Sequence, residues 1–168
     1  MFMASLLVAA TSFLAVPSAP SPVGDPSIVW HLIADVSISE FVEVRSARRP
    51  AHLDWSADGC STPLPVGMGD TGRSFNFRAA CNHHDFGYRN LKLLDRRYHC
   101  PHRRLDRYCP SESWRVGRYW NAANRRQVDD RFLADMRADC GRRPISERLT
   151  CRAWAWAYYQ AVRAAGGP

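Results

Sequence analysis

An all-α fold is predicted by three features of the 168-residue sequence. Apolar residues recur at spacings of three and four in several separate stretches, the period of a helix buried on one side. No stretch alternates apolar and polar residues convincingly enough for a strand, and there is no internal repeat. Six cysteines, all from Cys60 onward, form an even set that can staple a compact helical domain.

The first element lies outside that domain. The apolar run over residues 2–16 is too short to span a bilayer and reads as the apolar part of a secretory signal. No Lys or Arg precedes it, so either the positive flank rests on the amino terminus alone or the true start lies upstream. The small residues Ala15, Ser18 and Ala19 place a cleavage between Ala15 and Asp25, and residues 1–24 are assigned to this segment. Residues 25–168 then fit one domain with one modest core. Export with an even cysteine set favours disulfides. Six cysteines allow fifteen pairings. The close spacings suggest Cys60 with Cys81, Cys100 with Cys109 and Cys140 with Cys151.

Residues 28–44 hold enough apolar side chains for one or two short helices, and 45–50 read as a polar connection. Residues 53–72, rich in Gly, Pro, Asp and Ser, make a loop. Ser74 suits the cap of the next helix, which carries Phe77, Ala80, Cys81, His84, Tyr88 and Leu91 on one stripe. At about 100° per residue His84 lies near the centre of that stripe and His83 on its wetter flank. Asp85 turns toward the line of Cys81, and so toward the loop that a Cys60 to Cys81 bridge would tether. Residues 95–119 are dense in Arg, hold two cysteines and show no sustained apolar period, which reads as a basic insertion closed by its own disulfide.

The helix predicted over 122–140 places Val128, Phe132, Leu133, Met136 and Cys140 on one face, with Asp129 close to its middle. Asp130, Asp135 and Asp139 fall outside it or at its edge, where solvated acids belong. Gly141 and Pro144 turn the chain into a last helix over 150–165, striped by Cys151, Trp154, Tyr158, Ala161 and Val162.

Two helices thus each carry one polar residue within an apolar stripe. If the stripes pack together, Asp129 can accept a hydrogen bond from one ring nitrogen of His84, leaving the other to take a proton from water. The loop DWSADGC, residues 54–60, adds Asp58 and Gly59. Calcium prefers several oxygen ligands and accepts backbone carbonyls, so the Asp58 carboxylate, the Gly59 carbonyl and the Asp85 carboxylate form a partial cage for Ca2+.

With these motifs in view, the chain resembles the prokaryotic and fungal secreted phospholipase A2 family over residues 53–164. The resemblance rests on DWSADGC, ACNHHDFGYRN, VDDRFLADM and AWAYYQAV, in that order. It implies a compact, disulfide-stapled helical fold in which two main antiparallel helices carry the site. By position it implies His84 as catalytic base, Asp129 as its orienting partner, and Asp58, Gly59 and Asp85 as calcium ligands. Two family disulfides would fall on Cys60 with Cys81 and Cys140 with Cys151, which leaves Cys100 and Cys109 as additional. The implied activity is calcium-dependent hydrolysis of the sn-2 ester of glycerophospholipids by a secreted monomer acting peripherally at a membrane or micelle surface.

Plainer readings stand beside these. His84 alone could be a hydrogen-bonded core histidine, Asp129 could pair with Arg125 or Arg126, and Asp58 could cap a turn. His99, Cys100, His102 and Cys109 have the atoms for zinc but not a usual spacing. The net charge of +7 and pI near 9.4 draw the protein to anionic surfaces. Trp114, Tyr119 and Trp120 among the arginines suit either a core or a lipid interface. The alternative function is therefore a basic membrane-binding or antimicrobial protein with vestigial catalytic residues. A nucleic-acid partner is not expected, because charge is its only support.

Overall fold

The computed structural model describes residues 24–60, 75–99, 117–165 and 167. The predicted signal segment before Gly24, Ser74, the pairing of Cys100 with Cys109 and its zinc alternative, and Trp114 lie outside the described residues.

Five helices make up the described chain, and no strand occurs among these residues. Helix α1, Asp25–Ala34, opens with Pro26 in its first turn, where a missing N–H costs nothing. Helix α2, Ile38–Ala47, starts from a capping box: Ser37 Oγ accepts from the Glu40 amide and Glu40 Oε2 accepts from the Ser37 amide. Helix α3, Arg78–Leu94, runs into a single π-helical turn, Asp95–His99. Helix α4, Ala122–Gly141, is capped by the Asn121 side chain, and α5 spans Ile145–Ala165.

Three predicted boundaries move. Helix α2 runs through Ala47, into the residues read as a polar connection. Helix α3 begins after Phe77 rather than at a Ser74 cap, with Asn76 Oδ1 accepting from the Arg78 amide. Helix α5 begins five residues before the predicted start, directly after Pro144, whose fixed φ suits a helix entry. Ile145 and Leu149 in that first turn are exposed, so no apolar stripe announces it.

Helices α3 and α4 run antiparallel: His83 meets Asp135, His84 meets Asp129, and Tyr88 meets Arg125. Gly87 sets how closely they approach, since a Cβ there would lie 2.7 Å from Val128 Cγ1. Helix α5 packs back along α4, bound by the Cys140–Cys151 disulfide at one end and by Arg163 on Asp129 toward the other. The buried side chains form two clusters. One gathers α1, Phe41, Trp55, Phe86, Leu91 and Trp120; the other gathers Phe77, Cys81, Phe132, Met136, Cys151 and Tyr158. The α3–α4 pair contributes to both.

The structure corrects two polar assignments. His83 is not on a wet flank: it is 2% exposed and stacked on Phe41. Its Nδ1 lies 2.7 Å from Asp135 and its Nε2 2.7 Å from the Leu32 carbonyl. Asp135 is likewise buried, bonded also to Arg131, whose guanidinium reaches the carbonyls of Ala34 and Val36. Helices α1 and α2 cover this side of α3, which a projection against α4 alone does not anticipate. Trp120 is core, at 1% exposure, its amide and that of Tyr119 held by the buried Asp95 carboxylate.

Candidate active site

Four residues of α3, Cys81, His84, Asp85 and Tyr88, are spaced three and four apart and therefore share one side of the helix. The His84 ring is nearly buried and packs between Tyr88 and Phe132, at centroid distances of 4.1 and 4.8 Å. Its Nε2 lies 2.9 Å from Asp129 Oδ1. An ionised carboxylate only accepts, so Nε2 carries the hydrogen, and in the neutral ring Nδ1 keeps its lone pair.

Asp129 has no exposed surface. Burial by itself raises its pKa, but the hydrogen bonds from His84, Tyr88 and Arg163 outweigh that and hold it below the ordinary carboxylate value. Tyr88 donates to Oδ1 at 2.6 Å and Arg163 Nη1 to Oδ2 at 2.8 Å, while Arg125 Nε stands 3.6 Å from Oδ2. Burial and the bond to Asp129 in turn push the Tyr88 phenol well above its usual pKa. Arg125 also donates to Tyr88 and to the carbonyls of Val162, Arg163 and Gly167, so the end of α5 is tied to the same group. The alternative of an arginine partner for Asp129 therefore holds alongside the histidine rather than in place of it. Arg163 itself gave no sequence signal, because it lies beside the apolar stripe of α5 and meets Asp129 only through the tertiary fold.

The second half of the site is the segment 54–60, pinned to α3 along its length. The Cys60–Cys81 disulfide holds one end. At the other, the fully buried Asn90 accepts from the Asp54 amide at 2.9 Å and donates to the Asp54 carbonyl at 2.8 Å, acting as a piece of backbone would. Between them, the amides of Asp58 and Gly59 donate to Asp85 Oδ2 at 3.1 and 3.2 Å. Gly59 has φ of 78°, a left-handed conformation that a side chain would strain. Asn90 belongs to the quoted helix motif, yet its role became visible only with the loop in place.

The donor chemistry of this corner suits a hard cation. Burial, with the Asp58 carboxylate close by, raises the Asp85 pKa to about 7. Asp58 is held below the ordinary value, against its burial, by hydrogen bonds that include Asp85 and Arg89, and a divalent ion between the two carboxylates would favour ionisation of Asp85. Among the described residues no three His, Cys, Asp or Glu side chains gather as a metal site. Oxygen ligands beyond these two would come from backbone carbonyls and water, which calcium accepts and zinc sites rarely use. Asp58 Oδ1 also lies 3.2 Å from Arg89 Nη2, a cation already drawn to the same oxygen.

The family model described as prokaryotic phospholipase A2 matches residues 30–112 and 111–166. A secretory phospholipase A2 of Arthroderma benhamiae is 32% identical over 155 residues, spanning 90% of this chain and 86% of its own length. A secretory phospholipase A2 of Beauveria bassiana is 28% identical over 155 residues, spanning 89% of this chain and 66% of its own. The matches run through the helices that bring His84 to Asp129 and the loop to Asp85, and on their extent the chain belongs to the prokaryotic phospholipase A2 family.

Proposed function

We propose that the protein is a secreted, calcium-dependent phospholipase A2 that hydrolyses the sn-2 ester of glycerophospholipids to a fatty acid and a lysophospholipid. The observation that carries this reading is the 2.9 Å contact of His84 Nε2 with the buried Asp129, next in sequence to a carboxylate, Asp85, that receives the amides of the 54–60 loop.

In this reading Asp129 fixes the His84 tautomer with the lone pair on Nδ1, which takes a proton from water as the water attacks the ester carbonyl. The carboxylate then stabilises the imidazolium through the same hydrogen bond, and the proton passes to the departing glycerol oxygen. Asp58, the Gly59 carbonyl and Asp85 would hold calcium, which supplies an electrophile for the substrate phosphate and the ester oxygen. Tyr88, Arg125 and Arg163 keep Asp129 charged and immobile, so that the acid does not itself take the proton.

Residues 1–24 serve as the secretory signal and 25–168 as a single catalytic domain, acting as a monomer peripherally on a membrane or micelle. The net charge of +7 and the naming of both relatives as secretory support this placement. Among the described residues no helix is long and apolar enough to cross a membrane.

Phosphatidylcholine with different acyl chains at its two positions tests the reading. Purified protein releases the second-position fatty acid with calcium and not with chelator; no release, or release indifferent to chelator, overturns it. His84→Ala abolishes turnover while the circular dichroism of the fold is retained. The alternative of a non-catalytic membrane-binding protein predicts vesicle leakage that survives both treatments.

A further inference from the structure

The side of α3 that carries Asp85 continues through Arg89, Lys92 and Arg96, spaced four, three and four residues apart into the π-helical turn. All four line one cavity of about 350 Å³, together with Asp54 and Asp58 on the loop. Arg89 is paired with Asp58, its Nη2 3.2 Å from Oδ1, and Asp54 is held level with Asn90; Lys92 and Arg96 follow further along the helix. At about 1.5 Å of rise per residue, Lys92 lies roughly 10 Å along the axis from Asp85. Helical side chains lean back toward the N-terminus. Accordingly the Lys92 ammonium sits over Tyr88, 5.7 Å from its ring, and over Trp120 at 4.5 Å. Partial burial, then repulsion from Arg89 and Arg96, lowers the Lys92 pKa, so the three charges sense one another across the cavity.

We propose that Lys92 and Arg96, beside the Asp58-paired Arg89, form a headgroup subsite that favours glycerophospholipids of net negative charge, such as phosphatidylglycerol, over those carrying choline. This rests on the phospholipase reading and names the substrate class for the same site. A substrate whose phosphate sits by Asp58 and Asp85 extends its headgroup along this wall. A glycerol headgroup brings hydroxyls to the ammonium and guanidinium donors and leaves the phosphate charge to be shared by them. A choline headgroup brings a fixed positive charge against those of Lys92 and Arg96 and offers no acceptor.

Short-chain dihexanoyl lipids supplied as monomers separate this subsite from attraction to a charged surface. The wild-type protein shows kcat/KM higher for phosphatidylglycerol than for phosphatidylcholine by about tenfold, as several partly exposed charge contacts worth a fewfold each would give. Lys92→Gln with Arg96→Gln brings the ratio near one, and the exposed Arg96→Gln alone lowers it partway. Arg137→Gln with Arg152→Gln, an equal change of charge at exposed positions on α4 and α5, leaves the ratio intact. Calorimetric titration of His84→Ala protein with the two lipids gives the same preference as a ratio of Kd. Absence of hydrolysis of either lipid sinks the phospholipase reading, while the Kd ratio still judges the subsite. A ratio at or below one in the wild type overturns the subsite, as does a ratio that survives Lys92→Gln with Arg96→Gln. Inorganic phosphate binding as tightly as phosphatidylglycerol would also overturn it, in favour of a free-phosphate site.

Discussion

Asp129 keeps its charge with no exposed surface because four donors from three helices face it. A depressed carboxylate pKa means that the unfolded chain binds the proton more readily, so folding is stabilised above the ordinary value of 3.8. That stabilisation disappears as the pH falls through the folded-state value. Asp129→Asn should therefore destabilise the protein by about 3 kcal/mol at pH 7, by leaving the guanidinium groups of Arg125 and Arg163 unmatched, and by less at pH 3, below the ordinary carboxylate value. Urea unfolding at the two pH values reads the difference, and an equal loss at both contradicts it. Turnover should fall about ten- to a hundredfold, since the imidazole loses its orienting charge. The His84 and Asp129 pairing was legible in the sequence because each is a lone polar residue inside an apolar stripe. His83 and Asp135 were not, because their burial comes from α1 and α2, whose position against α3 no local pattern encodes.

At the scale of elements, the 54–60 segment has no regular structure of its own and borrows rigidity from α3. The bridge at Cys60 was readable from cysteine spacing, and the loop from its Gly, Pro, Asp and Ser content. The clamp at Asn90 was not, since a buried amide that imitates backbone leaves no periodic trace. Asn90→Ala frees the amide and carbonyl of Asp54 from their partners and should cost about 2 kcal/mol. In the proposed function it should also weaken calcium binding about tenfold, because Asp58 and Gly59 are no longer presented to Asp85 as one piece. Calorimetric titration with calcium, alongside thermal unfolding, separates the two effects; unchanged affinity would show that the disulfide alone suffices. Helix interiors were read correctly wherever an apolar stripe was buried. The start of α5 was missed because Ile145 and Leu149 point to solvent.

Across the whole molecule, the paired helices α3 and α4 lie where two apolar clusters meet, one built with α1 and α2 and the other with α5. Each cluster holds one side of the pair, and Gly87 lets the two helices close to the distance the His84 to Asp129 bond requires. Composition and cysteine count predicted one helical domain. They could not reveal that the last helix also supplies a charge to the site, because Arg163 lies beside the apolar stripe of α5 and meets Asp129 only through the tertiary fold.

The grip of Arg125 on the carbonyls of Val162, Arg163 and Gly167 ties the last turn of α5 to the group around Asp129. A stop codon placed after Ala161 would strip Asp129 of one guanidinium and loosen the other. Such a shortened protein should melt at a lower temperature and lose lipid hydrolysis, although every residue that touches substrate or ion in the proposed reaction is still present.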